Sequence, residues 1–393
     1  MIRRGMFGSL LAIVALLIVF SGGPTWRLPD TRAQLSSPAA VTPLEATTEA
    51  AIDFPRRILL TGTVDVTGLE LSSSSSVDAF YRIGSDPTLH MAAGTDRIAP
   101  RNGSVRVEVD LDLQSAFVPA GVELGVFWRV PLANGSYAES VSTPVSWFDD
   151  RWNWQTLESS QITLRYFDLD TEFAAKILES AQTTVSDLER RFALPRSAAI
   201  SIWVYPSADA FRGAQQPNSR EAVAGASYPG YLLITAIIPE GNFREIGRVI
   251  PHEVSHQILQ QATENPFTLP PLWFDEGIAT HYQIGGTEGF LDMVVRARER
   301  GELFAIESLD ASFPYAPEQA TLAYATSWSV IAYIREVHGD AGIAAMIRAF
   351  GTGMPYADAI ETALGMTRDD LDQEWRVWIM RRSATTAGLA SAA

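Results

Sequence analysis

The stretch from 251 to 256, Pro-His-Glu-Val-Ser-His, determines how the rest of this sequence is interpreted. The chain has five histidines, and two of them stand here four residues apart, with Glu253 directly after the first. On a helix, residues four apart project from one face with Cβ atoms about 6 Å apart, which suits two imidazoles on one Zn²⁺ ion. Glu253 lies about 100° further round such a helix, so it reaches a water beside the metal more easily than the metal itself. Pro251 either opens this helix or kinks one that began near Phe243.

A catalytic zinc ion generally has three protein ligands, so a third is expected downstream. The metzincin pattern places glycine at 259 and histidine at 262, where this chain has Leu259 and Ala262. The chain has no cysteine, which excludes thiolate ligands, disulfides and a cysteine nucleophile. The stretch Trp-Phe-Asp-Glu-Gly-Ile-Ala-Thr at 273–280 offers Glu276. Nineteen residues separate His256 from Glu276, enough for the first helix to end, a proline-rich turn, and a second helix that packs back with Glu276 facing the two histidines.

These two motifs resemble those of the gluzincins, the peptidase MA-like superfamily that includes the thermolysin and aminopeptidase N types. The resemblance implies that His252, His256 and Glu276 bind Zn²⁺ and that Glu253 is the catalytic acid/base. Asp275 is expected to cap or orient a neighbour, since it points to the opposite side of the helix from Glu276. The implied activity is hydrolysis of peptide bonds in a peptide or protein substrate.

The resemblance extends more loosely over residues 152–382, including Ala-Tyr-Ala-Thr-Ser-Trp at 323–328. Because related enzymes supply a tyrosine from a helix downstream of the metal, Tyr324 is the candidate donor to the oxyanion; the alternative is a tyrosine that only packs at the start of a helix. The Gly-Ala-Met-Glu-Asn strand that reads a free amino terminus in aminopeptidases is absent, which favours an endopeptidase. The apolar strand at 231–238 stands where gluzincins place the edge strand that pairs with substrate.

The remaining patterns predict an α+β fold with two domains. Residues 52–148 contain short alternating apolar runs separated by turn signals, which predict an all-β immunoglobulin-like sandwich that serves as a spacer or weak binding module. Residues 149–382 predict the gluzincin-like catalytic domain, a small sheet followed by a mostly helical C-terminal part. The small residues at 383–393 predict a disordered tail.

The N-terminus predicts export. Arg3 and Arg4 precede an apolar stretch, so residues 1–24 are either a secretory signal peptide or an uncleaved membrane anchor. Residues 25–51 are rich in Pro, Thr, Ser and Ala, which predicts a linker. In both cases the rest of the chain is expected outside the cytoplasm, either secreted or tethered to the membrane.

Composition limits the possible partners. The formal net charge of −16 over 393 residues argues against nucleic acid, which requires a basic surface. The combined prediction is an exported, zinc-dependent peptidase. One alternative is a non-catalytic zinc-binding adhesion or scaffold protein on a peptidase fold, and another is a zinc hydrolase acting on cell-wall peptides or epoxides. The sequence leaves the oligomeric state open.

Overall fold

A computed structural model describes five stretches of the chain, with side chains up to residue 382: 41–72, 76–94, 103–115, 117–214 and 224–390. The predicted signal or anchor at 1–24 and the first part of the predicted linker lie outside the described residues. The described part is a mixed α+β structure, as the sequence predicts.

The first domain, which we call the β-rich domain, consists of two sheets around one apolar core. Its strands are β1 (Thr42–Pro43), β2 (Glu45–Asp53), β3 (Arg57–Asp65), β4 (Asp78–Ile83), β5 (His90–Ala92), β6 (Ser104–Asp112), β7 (Val122–Pro131), β8 (Tyr137–Glu139) and β9 (Thr143–Trp147). Strands β2, β3 and β6 form one sheet, and the other follows the order β1-β8-β7-β4-β5 with β9 also paired to β7. The immunoglobulin-like identity of this pair of sheets stays a prediction.

Strand β1 and most of β2 lie in the range 25–51 that the sequence assigns to a linker. The difference has a physical reason, because β2 is an edge strand that pairs with β3 along its whole length but buries little of its side chains. Strand β2 is held in place by backbone hydrogen bonds, which any residue type can form. Its sequence therefore lacks the apolar alternation by which a strand is predicted.

The second domain is built on a five-stranded sheet in the order β10-β11-β12-β14-β13. Its strands are β10 (Gln155–Glu158), β11 (Ile162–Tyr166), β12 (Ile200–Tyr205), β13 (Gly225–Tyr228) and β14 (Leu233–Ile237). The predicted edge strand at 231–238 is therefore an interior strand, because β14 pairs with β12 on one side and β13 on the other. Its sequence is apolar except for Thr235, which fits burial on both faces. The edge strand beside it is β13.

Helices follow and flank this sheet. They are α1 (Thr171–Phe192), α2 (Ala208–Phe211), α3 (Phe243–Thr263), α4 (Leu272–Tyr282), α5 (Phe290–Glu299), α6 (Pro317–Gly351), α7 (Tyr356–Leu364) and α8 (Arg368–Ala390), with 3₁₀ turns at Pro229–Tyr231 and Ile306–Leu309. Helix α8 extends into the stretch at 383–393 for which the sequence predicts disorder. None of the helices in the described part of the chain has the length and apolarity needed to cross a bilayer.

The two faces of the five-stranded sheet are buried against different partners. Side chains alternate between the faces of a strand, so Ile202 and Val204 of β12 join the core formed with the helices. Trp203 and Tyr205 point the other way and join the core of the β-rich domain. Trp154 lies between them, with ring centroids 4.7 Å from Trp203 and 5.1 Å from Tyr205. The β-rich domain thus packs directly on the sheet.

A buried ion pair fixes the connection between the domains. Asp149 is fully buried and accepts hydrogen bonds from Nε and Nη2 of Arg151 at 2.7 and 2.6 Å. Arg151 also donates to the backbone carbonyls of Ala210 and Arg212, on either side of the end of α2. The hydroxyl of Tyr205 donates to the same carboxylate at 3.3 Å. The connecting segment is therefore held to both β12 and α2.

Candidate metal centre

Helix α3 presents three of the predicted site residues. Asn242 caps the helix by accepting a hydrogen bond from the backbone N–H of Glu245. His252 and His256 lie one turn apart on one face, and their ring centroids are 4.9 Å apart. Glu253 lies on the adjacent face and is 8% exposed.

Pro251 lies inside α3, which begins at Phe243, so the kinked-helix alternative describes its position. Proline has no N–H, so the carbonyl of Gly247, four residues earlier, lacks its usual partner in the helix. That carbonyl accepts a hydrogen bond from the backbone N–H of Ile284 at 2.8 Å instead. The proline therefore allows the chain just after α4 to bond to the middle of α3.

Helix α4 brings Glu276 to the histidines. A Cβ on Gly277 would lie 2.8 Å from the carbonyl oxygen of Ser327 and 2.7 Å from Cγ1 of Ile331, both on α6. Only glycine permits this close approach of α4 to α6. The same packing brings Tyr324, one turn before Ser327 on α6, into the cavity that Glu276 lines.

Three atoms converge at the centre of the site. The Nε2 atoms of His252 and His256 are 3.3 Å apart, and Oε2 of Glu276 lies 3.5 and 3.6 Å from them. Two Zn–N bonds of about 2.0–2.1 Å at the tetrahedral angle place their nitrogens about 3.3–3.4 Å apart. The three donor atoms are therefore spaced as a zinc ion requires.

Hydrogen bonds to the other ring nitrogens direct these donors inward. Nδ1 of His252 lies 3.0 Å from Oε1 of Gln283, and Nδ1 of His256 lies 2.9 Å from Oδ1 of Asp275. An acceptor at Nδ1 places the proton there and leaves the Nε2 lone pair for a metal. Oε2 of Glu276 is buried and has no hydrogen-bond partner. Two ring nitrogens and one carboxylate oxygen are thus aimed at one point, which is the arrangement that a cation fits.

The local charges also favour a cation. Burial opposes a charged imidazole, but the carboxylates of Asp275 and Glu276 outweigh this effect and raise the pKa of His256 to about 10. Burial alone would raise the pKa of Glu276, yet the neighbouring imidazoles and the Tyr324 hydroxyl lower it. Burial raises the pKa of Glu253, and the nearby histidines offset this only in part.

These groups line an open cavity of about 460 Å³. Strand β13 and the following turn form one wall, and α3, α4 and α6 form the others. The lining residues are Phe211, Gly225, Ala226, Ser227, Tyr228, Pro229, His252, Glu253, His256, Gln260, Asp275, Glu276 and Tyr324. All five predicted site residues therefore face one cleft, and the expected orienting role of Asp275 corresponds to its hydrogen bond with His256.

Two residues beside the centre were not predicted from the sequence. Gln283, which bonds His252, follows the last residue of α4 and belongs to no motif. Gly225 lies on β13, where an added Cβ would be 2.7 Å from Oε1 of Glu253. The Gly-Ala pair at 225–226 was the one sequence feature that could have indicated the edge strand β13. The apolar run at 231–238 is a stronger strand pattern, and it drew the prediction to β14 instead.

Comparison with known proteins identifies the family. The model of the Peptidase MA superfamily matches residues 180–381, about half of the 393 residues, including α3, α4 and most of α6 to α8. The chain belongs to the peptidase MA superfamily. Its second domain is accordingly called the peptidase domain below.

Solved structures show weaker similarity. An aminopeptidase N family protein from Idiomarina loihiensis is 9% identical with a TM-score of 0.41, and the match covers 82% of this chain and 73% of that one. An M1 zinc metallopeptidase from Deinococcus radiodurans is 12% identical with a TM-score of 0.37, and the match covers 86% and 93%. A search of curated proteins gave no match.

Proposed function

We propose that the protein is a zinc-dependent peptidase in which His252, His256 and Glu276 hold the metal. The observation that carries the proposal is the convergence of two Nε2 atoms and one carboxylate oxygen, 3.3 to 3.6 Å apart. Asp275 and Gln283 bond the opposite ring nitrogens. Membership of the peptidase MA superfamily supports peptide hydrolysis as the reaction.

His252, His256 and Glu276 would hold a zinc ion, which would supply Lewis acidity for activating a water and polarising a peptide carbonyl. Glu253 is the general base, which takes a proton from the attacking water and passes it to the leaving amine. Its burial raises the pKa of its carboxyl group and so makes the carboxylate a stronger base than an exposed glutamate. Tyr324 donates a hydrogen bond to the oxyanion that forms on the substrate carbonyl.

Strand β13 supports an extended substrate along the cleft. Within the described part of the chain it is the edge strand of its sheet, so its outer side can hydrogen-bond the main chain of a peptide. Residues Gly225–Tyr228 read Gly-Ala-Ser-Tyr and carry no acidic side chain to bind a free amino terminus. We therefore propose cleavage within peptides rather than removal of the first residue.

We also propose that the enzyme works outside the cytoplasm, because Arg3 and Arg4 precede the apolar N-terminal stretch. A fusion of residues 1–51 to a reporter that is active only after export tests this placement. A reporter that stays inactive contradicts it.

Substitution of Glu253 tests the mechanism. Glu253→Gln keeps the size of the side chain but removes the base, so zinc content should stay at one ion per chain while cleavage of an unbiased peptide library falls at least about 10³-fold. Glu264→Gln makes the same change at the exposed end of α3, outside the cavity, and is expected to cleave like the wild type.

The other outcomes separate the alternatives. Equal cleavage by Glu253→Gln and the wild type contradicts Glu253 as the base. Bound zinc without cleavage in the wild type supports the non-catalytic binding protein. A pure protein that takes up no zinc contradicts the whole proposal.

A further inference from the structure

One wall of the cleft is an edge segment that has support from two sides. We call residues 225–231, which comprise β13 and the 3₁₀ turn after it, the cleft-edge segment. Among the residues that the structure describes, strand β13 pairs with β14 alone, and all four of its residues are half-buried. A segment with so little backbone pairing keeps a fixed position only where side chains pack against it.

Helix α3 supports the segment on one side. Gly225 and Ser227 point to this side, because alternate residues of a strand share a face. Nε2 of Gln257 donates a hydrogen bond to Oγ of Ser227 at 2.8 Å. Gly225 lies directly against Glu253 and Val249. These contacts come from the peptidase domain itself.

The β-rich domain supports the segment on the other side. The ring centroid of Phe117, between β6 and β7, lies 6.0 Å from that of Tyr228, which lines the cleft. Oγ of Ser85, just after β4, donates a hydrogen bond to the backbone carbonyl of Gly230 at 3.1 Å. Ser85 and Phe117 thus lie on separate loops of the β-rich domain, and they contact Gly230 and Tyr228 of the cleft-edge segment.

We infer that the β-rich domain is a structural component of the catalytic cleft, in which Ser85 and Phe117 are positioning residues that hold the cleft-edge segment. The inference rests on the proposed function, since the position of this segment affects catalysis only if a peptide binds along it. Ser85 and Phe117 lie outside the cavity lining and act through Gly230 and Tyr228. Their loss should therefore weaken binding of extended substrate and leave the chemistry at Glu253 unchanged.

Phe117→Ala and a matched control variant in the full-length protein test this inference. Loss of one aromatic contact costs about 0.5–1.5 kcal/mol, so KM for an eight-residue peptide should rise about 2- to 12-fold in Phe117→Ala. The kcat value and zinc content should stay within about twofold, because the metal ligands and Glu253 are untouched. Adding Ser85→Ala should raise KM further, and Phe117→Leu should restore most of the binding.

Phe80→Ala is the matched control. Phe80 is also a partly buried phenylalanine of the β-rich domain, but its ring packs on Phe127 and Arg129 of the same domain. The Phe80→Ala substitution should leave KM unchanged. Hydrogen–deuterium exchange gives a readout that does not need activity: the amides of 225–231 should exchange faster in Phe117→Ala than in Phe80→Ala, while those of α3 exchange equally.

Each remaining outcome decides the question. An unchanged KM in the folded Ser85→Ala/Phe117→Ala variant overturns the inference, and so does an equal rise in KM for Phe80→Ala, because the effect is then general. If the wild type cleaves no peptide, the proposed function fails separately. Hydrogen exchange then decides alone, and identical exchange of the cleft-edge segment in both variants overturns the positioning role.

Discussion

Substitution of Gly225 by alanine gives the sharpest test of how Glu253, the proposed general base, is placed. The new Cβ would lie 2.7 Å from Oε1 and 2.8 Å from Cγ of Glu253, whereas ordinary contact begins at 3.4 Å. The strand is held in place by β14 and by the hydrogen bond from Gln257 to Ser227. We therefore expect the glutamate side chain to move, by about 0.7 Å or more, the difference between 2.7 and 3.4 Å.

A shift of this size affects catalysis more than binding. Misplacement of a reacting group by about 1 Å can lower a rate on the order of 10²-fold, so we expect kcat to fall about 10- to 100-fold in Gly225→Ala. This loss corresponds to about 1.4–2.7 kcal/mol of transition-state stabilisation. Zinc affinity should stay within about twofold, because Glu253 is not one of the three converging donors.

The measurement is steady-state cleavage of an internally quenched peptide by zinc-saturated enzyme, below the unfolding temperature of each variant. Gly230→Ala is the matched control, because it lies in the same segment and an added Cβ there meets nothing within 4 Å. It should cleave at the wild-type rate. The reasoning is refuted if folded Gly225→Ala, with a full complement of zinc, has the same kcat as Gly230→Ala.

Three further predictions concern the support of the site. Gln283→Leu removes the acceptor for Nδ1 of His252 and should weaken zinc binding about 10- to 100-fold in competition with a chelator; unchanged affinity contradicts the orienting role. Tyr324→Phe should lower kcat about 10²-fold at saturating zinc, and a full wild-type rate shows that the tyrosine only packs. Asp149→Ala leaves Arg151 without its carboxylate and should lower the free energy of unfolding by about 3 kcal/mol in urea titration; a loss below about 1 kcal/mol shows that solvent compensates Arg151.

The convergence of the candidate metal ligands could be predicted because their geometry is partly local. His252 and His256 are one helical turn apart, so the spacing alone places them on one face. Glu276 was found through its own motif and through the resemblance that the family match confirms. The distances between the donor atoms show that the three side chains meet, which spacing alone cannot establish.

The supporting residues could not be predicted, because their contacts are non-local. Gln283 reaches His252 across 31 positions of sequence. Gly225 is needed only because Glu253 lies against it in three dimensions. The edge strand was misplaced since a strand's apolar content reports burial, which is greatest for interior strands such as β14. Non-local pairing of this kind leaves no periodic signal in the chain.

The absence of an N–H at Pro251 links the two helices that carry the candidate metal ligands. A residue with an N–H at this position would complete the helix and occupy the carbonyl of Gly247, and Ile284 would lose its acceptor. Gln283, the neighbour of Ile284, would then be free to swing away from His252. The irregular hydrogen bonding at Pro251 in α3 thus helps to hold the imidazole of His252 in place through Gln283, just after α4. The residue least suited to the interior of a helix therefore stabilises the geometry of the candidate metal centre.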